Sequence, residues 1–146
     1  MAEKSLHSSA AAVPAVGLLR RLAAIVYDSL LLFGVLFVAA AIVVVFNRGE
    51  AVRHPLFSVY LLGVGYLFFG WFWTHGGQTL GMRAWKFRVQ RFHGGAITWM
   101  QALRRFLLAI VSWLLLGLGF LWMLVDKDRM TLHDRFSRTV LVRTKV

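Results

Sequence analysis

The chain has 146 residues, of which 59% are hydrophobic and none is cysteine, and its 17 Lys+Arg against 6 Asp+Glu give a formal net charge of +11. That length holds one domain, the apolar share exceeds the roughly 45–50% of ordinary soluble domains, and the missing cysteines exclude disulfides, zinc–thiolate sites and thiol catalysis. The basic groups fall between long apolar runs, an arrangement that suits anionic lipid headgroups rather than nucleic acid, which is not expected as a partner.

Residues 1–17 (MAEKSLHSSAAAVPAVG) are small, polar and Ala-rich, and read as a short mobile tail rather than a secretory signal, because no apolar stretch precedes a cleavage site. Arg20-Arg21 before an apolar run resembles a twin-arginine signal only superficially, since Asp28 and further apolar runs follow. The remaining residues, 18–146, read as a single membrane domain.

The first apolar segment covers residues 22–46 and contains a single charge, Asp28. At 1.5 Å per residue it crosses a hydrocarbon core of about 30 Å. The second covers 55–74, with Pro55 suited to a first helical turn, Trp71 and Trp73 suited to an interface belt, and Gly63, Gly65 and Gly70 most simply explained by packing.

The third apolar segment, 106–125, carries Gly117 and Gly119 near its middle and has two readings: one spanning helix, or two short helices folded back so that both ends lie on one side. The positive-inside rule discriminates between them. Three full spans divide the basic residues nine against eight. A third segment that returns leaves only Arg48 and Arg53 on the far side, with the other 15 of 17 together.

Local pattern agrees. In WKFRVQRF (85–92), Trp85, Phe87 and Val89 alternate with Lys86, Arg88 and Gln90; His93-Gly94-Gly95 reads as a turn from which residues 96–99 could return, and TVLVRTKV (139–146) is also β-prone. Two such segments can pair only on the same side of a membrane. The expected fold is therefore an all-α integral membrane protein with two full transmembrane helices, a third apolar segment that doubles back as a helical hairpin, and a small basic β-containing cap.

Four ordered motifs carry a resemblance. They are Arg21-x-x-Ala24-x-x-x-Asp28; Gly77-Gln78-Thr79-Leu80-Gly81 followed by Trp85-Lys-Phe-Arg-Val89; an arginine ahead of the third run, Arg104 or Arg105; and Asp126-Lys127…Leu132-His133-Asp134-Arg135…Thr139-Val140-Leu141-Val142. Together, from about Leu19 to Arg143, they resemble the RDD family of membrane proteins, named for one arginine and two aspartates. The chain departs from the family's pattern in carrying Met82, with Arg83 one residue later, where a lysine is common after the Gly-Gln-Thr-Leu-Gly stretch. The resemblance implies a multi-pass protein of the bacterial cytoplasmic (inner) membrane with its N-terminus and most basic loops cytoplasmic. For function it implies either an accessory membrane component or a sodium/proton antiporter, activities reported for different members.

The residues themselves frame the same alternatives. Arg21 and Asp28, seven apart, share a helix face two turns or about 10 Å apart. A lone carboxylate near hydrocarbon costs roughly 2.5–3.5 kcal/mol at a helix centre, less near the interface, so it must be paired, hydrated or protonated. The favoured reading makes Asp28 structural, ion-paired by Arg21, Arg104 or Arg105. The alternative makes Arg21, Asp28 and Asp134 an ion-coupling set in a transporter or transporter subunit.

Asp126, Asp128, His133, Asp134 and Arg135 mix acids with bases, and salt bridges to residues 83–105 are favoured over a metal site because the spacing matches neither an EF-hand loop nor a zinc helix motif. His75, His93 and His133 read as loop residues. Gly76-Gly77-Gln78-Thr79 reads as the turn that brings the second span onto the membrane surface, with Arg83, Lys86 and Arg88 touching lipid phosphates. No nucleophile elbow or phosphate loop is present, so neither an enzyme nor a cofactor is expected. The expected partners are the bilayer itself and a second copy or another membrane protein.

Overall fold

The computed structural model describes residues 16–127 and 129–144. Most of the expected N-terminal tail, together with Asp128 and the last two residues of the second β-prone segment, lies outside them. Two helices are long and apolar enough to cross a membrane: α1 (Leu18–Phe46) and α2 (Pro55–Thr74). Along α1, Leu30, Phe33, Phe37, Ile42 and Val45 are exposed, as suits side chains that meet lipid rather than protein. Pro55 opens α2 in its first turn, where a missing N–H costs nothing, and the His54 ring accepts a hydrogen bond from Leu56 N–H (3.2 Å).

The third apolar run does not form one straight helix. Its first arm, α4 (Trp99–Leu114), begins seven residues before the expected start, because Thr98 and Gln101 form a capping box there. The arm ends at Leu114, and Leu116 and Gly117 take positive φ values of 55° and 79°. The chain resumes as α5 (Leu118–Leu121) and a 3-10 turn (Trp122–Leu124), bent 107° from α4. The break thus covers residues 115–117 and takes in the first of the two glycines. Gly119 serves it differently: a Cβ there would run into Ser112, so its bareness lets the second arm fold against the first.

Between α2 and α4 lie α3 (Leu80–Ala84) and β1 (Phe87–Arg91); after the 3-10 turn come α6 (Leu132–Phe136) and β2 (Thr139–Arg143). The strands pair antiparallel, with Val89 opposite Leu141. Residues 96–98 precede a helix and do not return as a strand; the partner of β1 comes from the far end of the chain. Trp85 also departs from the alternation, since it is the C-cap of α3 and exposed, whereas Phe87 and Val89 point inward. The buried core of Ala24, Trp73, Met82, Phe87, Val89, Ile97, Ala102 and Leu141 therefore sits where the helix ends meet the sheet.

The two halves repeat one course. Thr79 (φ −75°, ψ 172°) and Thr131 (φ −77°, ψ 161°) each open a five-residue helix; Lys86 (φ 57°) and Arg138 (φ 55°) each turn the chain into a five-residue strand, with every position matched 52 residues later. Val89 and Leu141, which face each other in the sheet, are equivalent positions, so an approximate two-fold axis passes between them. Helix α1 packs on α3 as α4 packs on α6, and the Leu19-Arg20-Arg21-Leu22 segment of α1 matches Leu103-Arg104-Arg105-Phe106 of α4. The long hairpin α1–α2 corresponds to the short bent hairpin α4–α5. Unequal hairpins give the repeat no fixed period, which hides it in the sequence.

Candidate functional site

The repeated arginines converge on one carboxylate. Arg21 Nη1 donates to Asp134 Oδ2 at 2.8 Å and Arg105 Nη1 donates to Oδ1, so α1 and α4 are both tied to α6. Arg21 also donates from Nε to Val16 O (3.0 Å) and from Nη2 to Arg129 O (3.2 Å), and Arg105 Nη1 donates to Thr139 Oγ1 (3.0 Å). The Arg105 guanidinium lies 5.2 Å from the Trp73 ring centroid, a cation–π distance that joins α2 to the cluster. Burial by itself would push the Asp134 carboxyl up, but Arg105, His133 and Arg21, with the Thr131 hydroxyl, outweigh it and hold the group below the ordinary carboxylate range.

Asp28 has different partners from those expected. Its Oδ2 accepts from Thr79 Oγ1 and its Oδ1 from Gly81 N–H (2.8 Å), so α3 rather than an arginine satisfies it. Thr79 Oγ1 at the same time caps α3 by accepting from Met82 N–H (3.2 Å). Gly81 must be bare, because a Cβ would meet Ala24 O and lie 2.8 Å from Asp28 Oδ2. Gly77 (φ 67°) accepts Val89 N–H at 2.7 Å, and the Gln78 side chain donates to Phe87 O at 2.8 Å. Each residue from Gly77 to Thr79, and Gly81 after them, thus fastens the loop after α2 to α1 or to β1.

His133 is not a loop residue. It lies in α6, buried, with Nε2 3.1 Å from Thr131 Oγ1 and its ring 4.8 Å from that of Phe120. Burial, reinforced by the neighbouring arginine charges and only partly opposed by Asp134, pushes its pKa down to about 3. It is therefore neutral near pH 7, and its 3.8 Å approach to Asp134 Oδ1 is a dipole contact rather than an ion pair.

Of the two arginines ahead of the third run, Arg105 is buried and Arg104 exposed, because adjacent helical residues point about 100° apart. Of the C-terminal acids, Asp134 makes the expected salt bridge to residues 83–105, through Arg105, whereas Asp126 bonds Arg135 (2.6 Å) and Met130 N–H (3.0 Å) and closes the loop before α6 on itself. Arg83, Lys86 and Arg88 are all exposed on the outer side of α3 and β1. Trp71 is exposed as an interface residue would be, whereas Trp73 is buried under Arg105. Among the described residues, no group of His and acidic side chains is arranged to hold a metal. The roles of Thr79, Gly81, Trp73, Thr131 and Thr139 went unread in the sequence; only the threonines preceding each Leu-x-x-Arg segment offered a signal.

Below this cluster lies a cavity of about 510 Å³ between α1, α2 and α4. Arg21, Asp28, Thr79, Arg105, Thr131 and His133 line one end, and Leu32, Leu36, Leu61, Phe106 and Ile110 are among the apolar side chains that line the rest.

The model of the RDD family matches residues 15–138, most of the chain, and the chain belongs to that family. No curated protein and no solved structure compared with it matches.

Proposed function

We propose that this RDD family member is a non-catalytic accessory component of the bacterial inner membrane, whose arginine and aspartate residues hold a helix packing that a membrane partner recognises. The observation that carries this reading is the Asp134 bridge, in which Arg21 and Arg105 are both taken up by one internal carboxylate, tying the starts of α1 and α4 to α6. Charges spent on internal bonds serve assembly; a transport path needs several polar groups open at mid-membrane.

The same reading orients the chain. Paired strands must lie on one face of a bilayer, so the segment between β1 and β2 crosses it an even number of times. Helix α4, at 16 residues, reaches about 24 Å, and the seven residues of the second arm reach about 10 Å, both short of about 30 Å. The third segment therefore enters and returns, which leaves only Arg48 and Arg53 on the outer side and puts the N-terminus and the cap in the cytoplasm. Arg83, Lys86 and Arg88 then face anionic headgroups.

Extraction in a mild detergent tests the reading: a second protein should be retained stoichiometrically by the wild type and lost with Asp134→Asn. A partner-free monomer overturns it. One observation favours transport instead, namely that Asp28 lines the cavity. Cation flux in proteoliposomes that disappears with Asp28→Asn would establish that alternative.

A further inference from the structure

The cavity has a shape and a polarity that the bridge does not account for. From Arg21 to Leu36 its lining follows α1 for 15 residues, or about 22 Å, so it is an elongated cleft rather than a round void. Its polar side chains other than Ser58 gather at the end next to the cap, and its long walls, from Ile25 and Leu32 to Leu61 and Ile110, are otherwise apolar. Helix α2 packs against both α1 and α4, whereas α1 and α4 scarcely touch, so no close helix packing seals the cleft between those two helices. A void of this size with apolar walls is poorly filled by water and falls within the range of small-molecule sites.

The polar end has unspent donors. Among the described residues, Arg105 bonds through Nη1 alone and its buried Nε–H has no acceptor, and Trp73 Nε1–H is likewise buried without one; His133 Nδ1 is also buried without a partner, and is a donor in the tautomer whose Nε2 accepts from Thr131. All three residues line the cleft and are more than nine-tenths buried. Two guanidiniums share the single carboxylate of Asp134, which itself lies outside the lining. Asp28 is the acidic side chain in the lining, and both its oxygens are occupied by Thr79 and Gly81.

We propose that the cleft binds a single-chain amphiphile with a carboxylate head, a long-chain fatty acid, taken laterally from the bilayer. Its carboxylate lies at the Arg105–Trp73–His133 end and its acyl chain runs down the cleft toward Leu36. An oxygen-only acceptor head supplies what the orphaned donors lack, and a single flexible chain fits an elongated apolar channel better than a rigid or two-chain molecule does.

The full chain in dodecylmaltoside, titrated with cis-parinaric acid, tests this, because Trp73 and Trp113 in the lining are energy donors to that fluorescent fatty acid. Tryptophan emission should be quenched saturably at one ligand per chain. Palmitate should displace the probe, and methyl palmitate, equally greasy but uncharged, should need about tenfold more or above. Leu61→Trp and Ala109→Phe, which fill the cleft, should each weaken binding by about tenfold or more with the thermal midpoint kept, whereas Val45→Trp on the exposed face of α1 should bind as wild type does. The proposal is overturned if quenching does not saturate, if palmitate and methyl palmitate compete alike, if the filled variants bind normally, or if a two-chain phospholipid displaces the probe as well as palmitate does.

Discussion

Arg21 and Asp134 stand 113 positions apart, yet Arg21 Nη1 lies 2.8 Å from Asp134 Oδ2 with both side chains almost wholly buried. One contact thus closes the chain, joining the beginning of the first span to the last helix before the final strand. Removing one member of such a pair leaves an uncompensated buried charge and costs about 3–5 kcal/mol. Asp134→Asn, which strands two arginines, should lower the unfolding free energy in detergent by that amount. Arg21→Met leaves the Arg105 bridge in place and should cost clearly less; equal losses would mean that the two arginines do not share the load as the geometry has it.

Acid should weaken the protein at an unusually high pH. An unfolded histidine titrates near 6.5, while burial and the adjacent arginines bring His133 down to about 3. Between those values the unfolded chain binds the extra proton and the folded chain does not, so stability is complete above about pH 6.5 and falls as pH drops toward 3. Asp134, also depressed, adds to the loss only below an unfolded carboxylate's value of about 3.9. Thermal midpoints measured from pH 8 to pH 4 should decline below 6.5 in the wild type, and His133→Gln should flatten that decline above pH 4.

The Asp28–Thr79–Gly81 contact makes a separate claim about how α3 is held on α1. Thr79→Val removes both the donor to Asp28 and the cap on Met82 N–H, and should destabilise by about 1–3 kcal/mol, whereas Thr79→Ser should be close to neutral. Gly81→Ala should be at least as damaging, because the added methyl meets the Ala24 carbonyl, a backbone atom that cannot swing aside. Near-normal stability of Gly81→Ala would show that α1 and α3 are further apart.

Topology is open to direct measurement because the chain contains no cysteine. Single cysteines at Gly94 and Arg138 should react with a membrane-impermeant maleimide from the cytoplasmic side, and one at Gly49 from the opposite side. A cysteine at Leu116, at the bend of the third segment, should resist labelling from the outer face; ready reaction there would make the segment a full crossing.

Much of this was legible from residue order. The apolar runs placed two helices to within a few residues, since about 18 or more uncharged, mostly apolar residues in sequence have few alternatives to a span. The glycines marked where the third run bends, and alternation marked Phe87 and Val89 as the inward side of a strand. What pattern could not supply was pairing. Nothing local says that β1 takes its partner from the end of the chain rather than from residues 96–99, because strand pairing is a property of the space between segments.

The opening contact marks the boundary. Sequence alone determined that Asp28 is costly beside hydrocarbon and must be paired, hydrated or protonated, because the desolvation of a charge depends only on the charge and its medium. Tertiary structure decided which partner each charge takes: Arg21 passes over Asp28, seven residues away on its own helix, for Asp134, and Asp28 turns to a threonine and a backbone amide. Two arginines brought by the repeated α1 and α4 onto one carboxylate bind it from both sides. That arrangement required the halves of the chain to meet, and no local spacing encodes it.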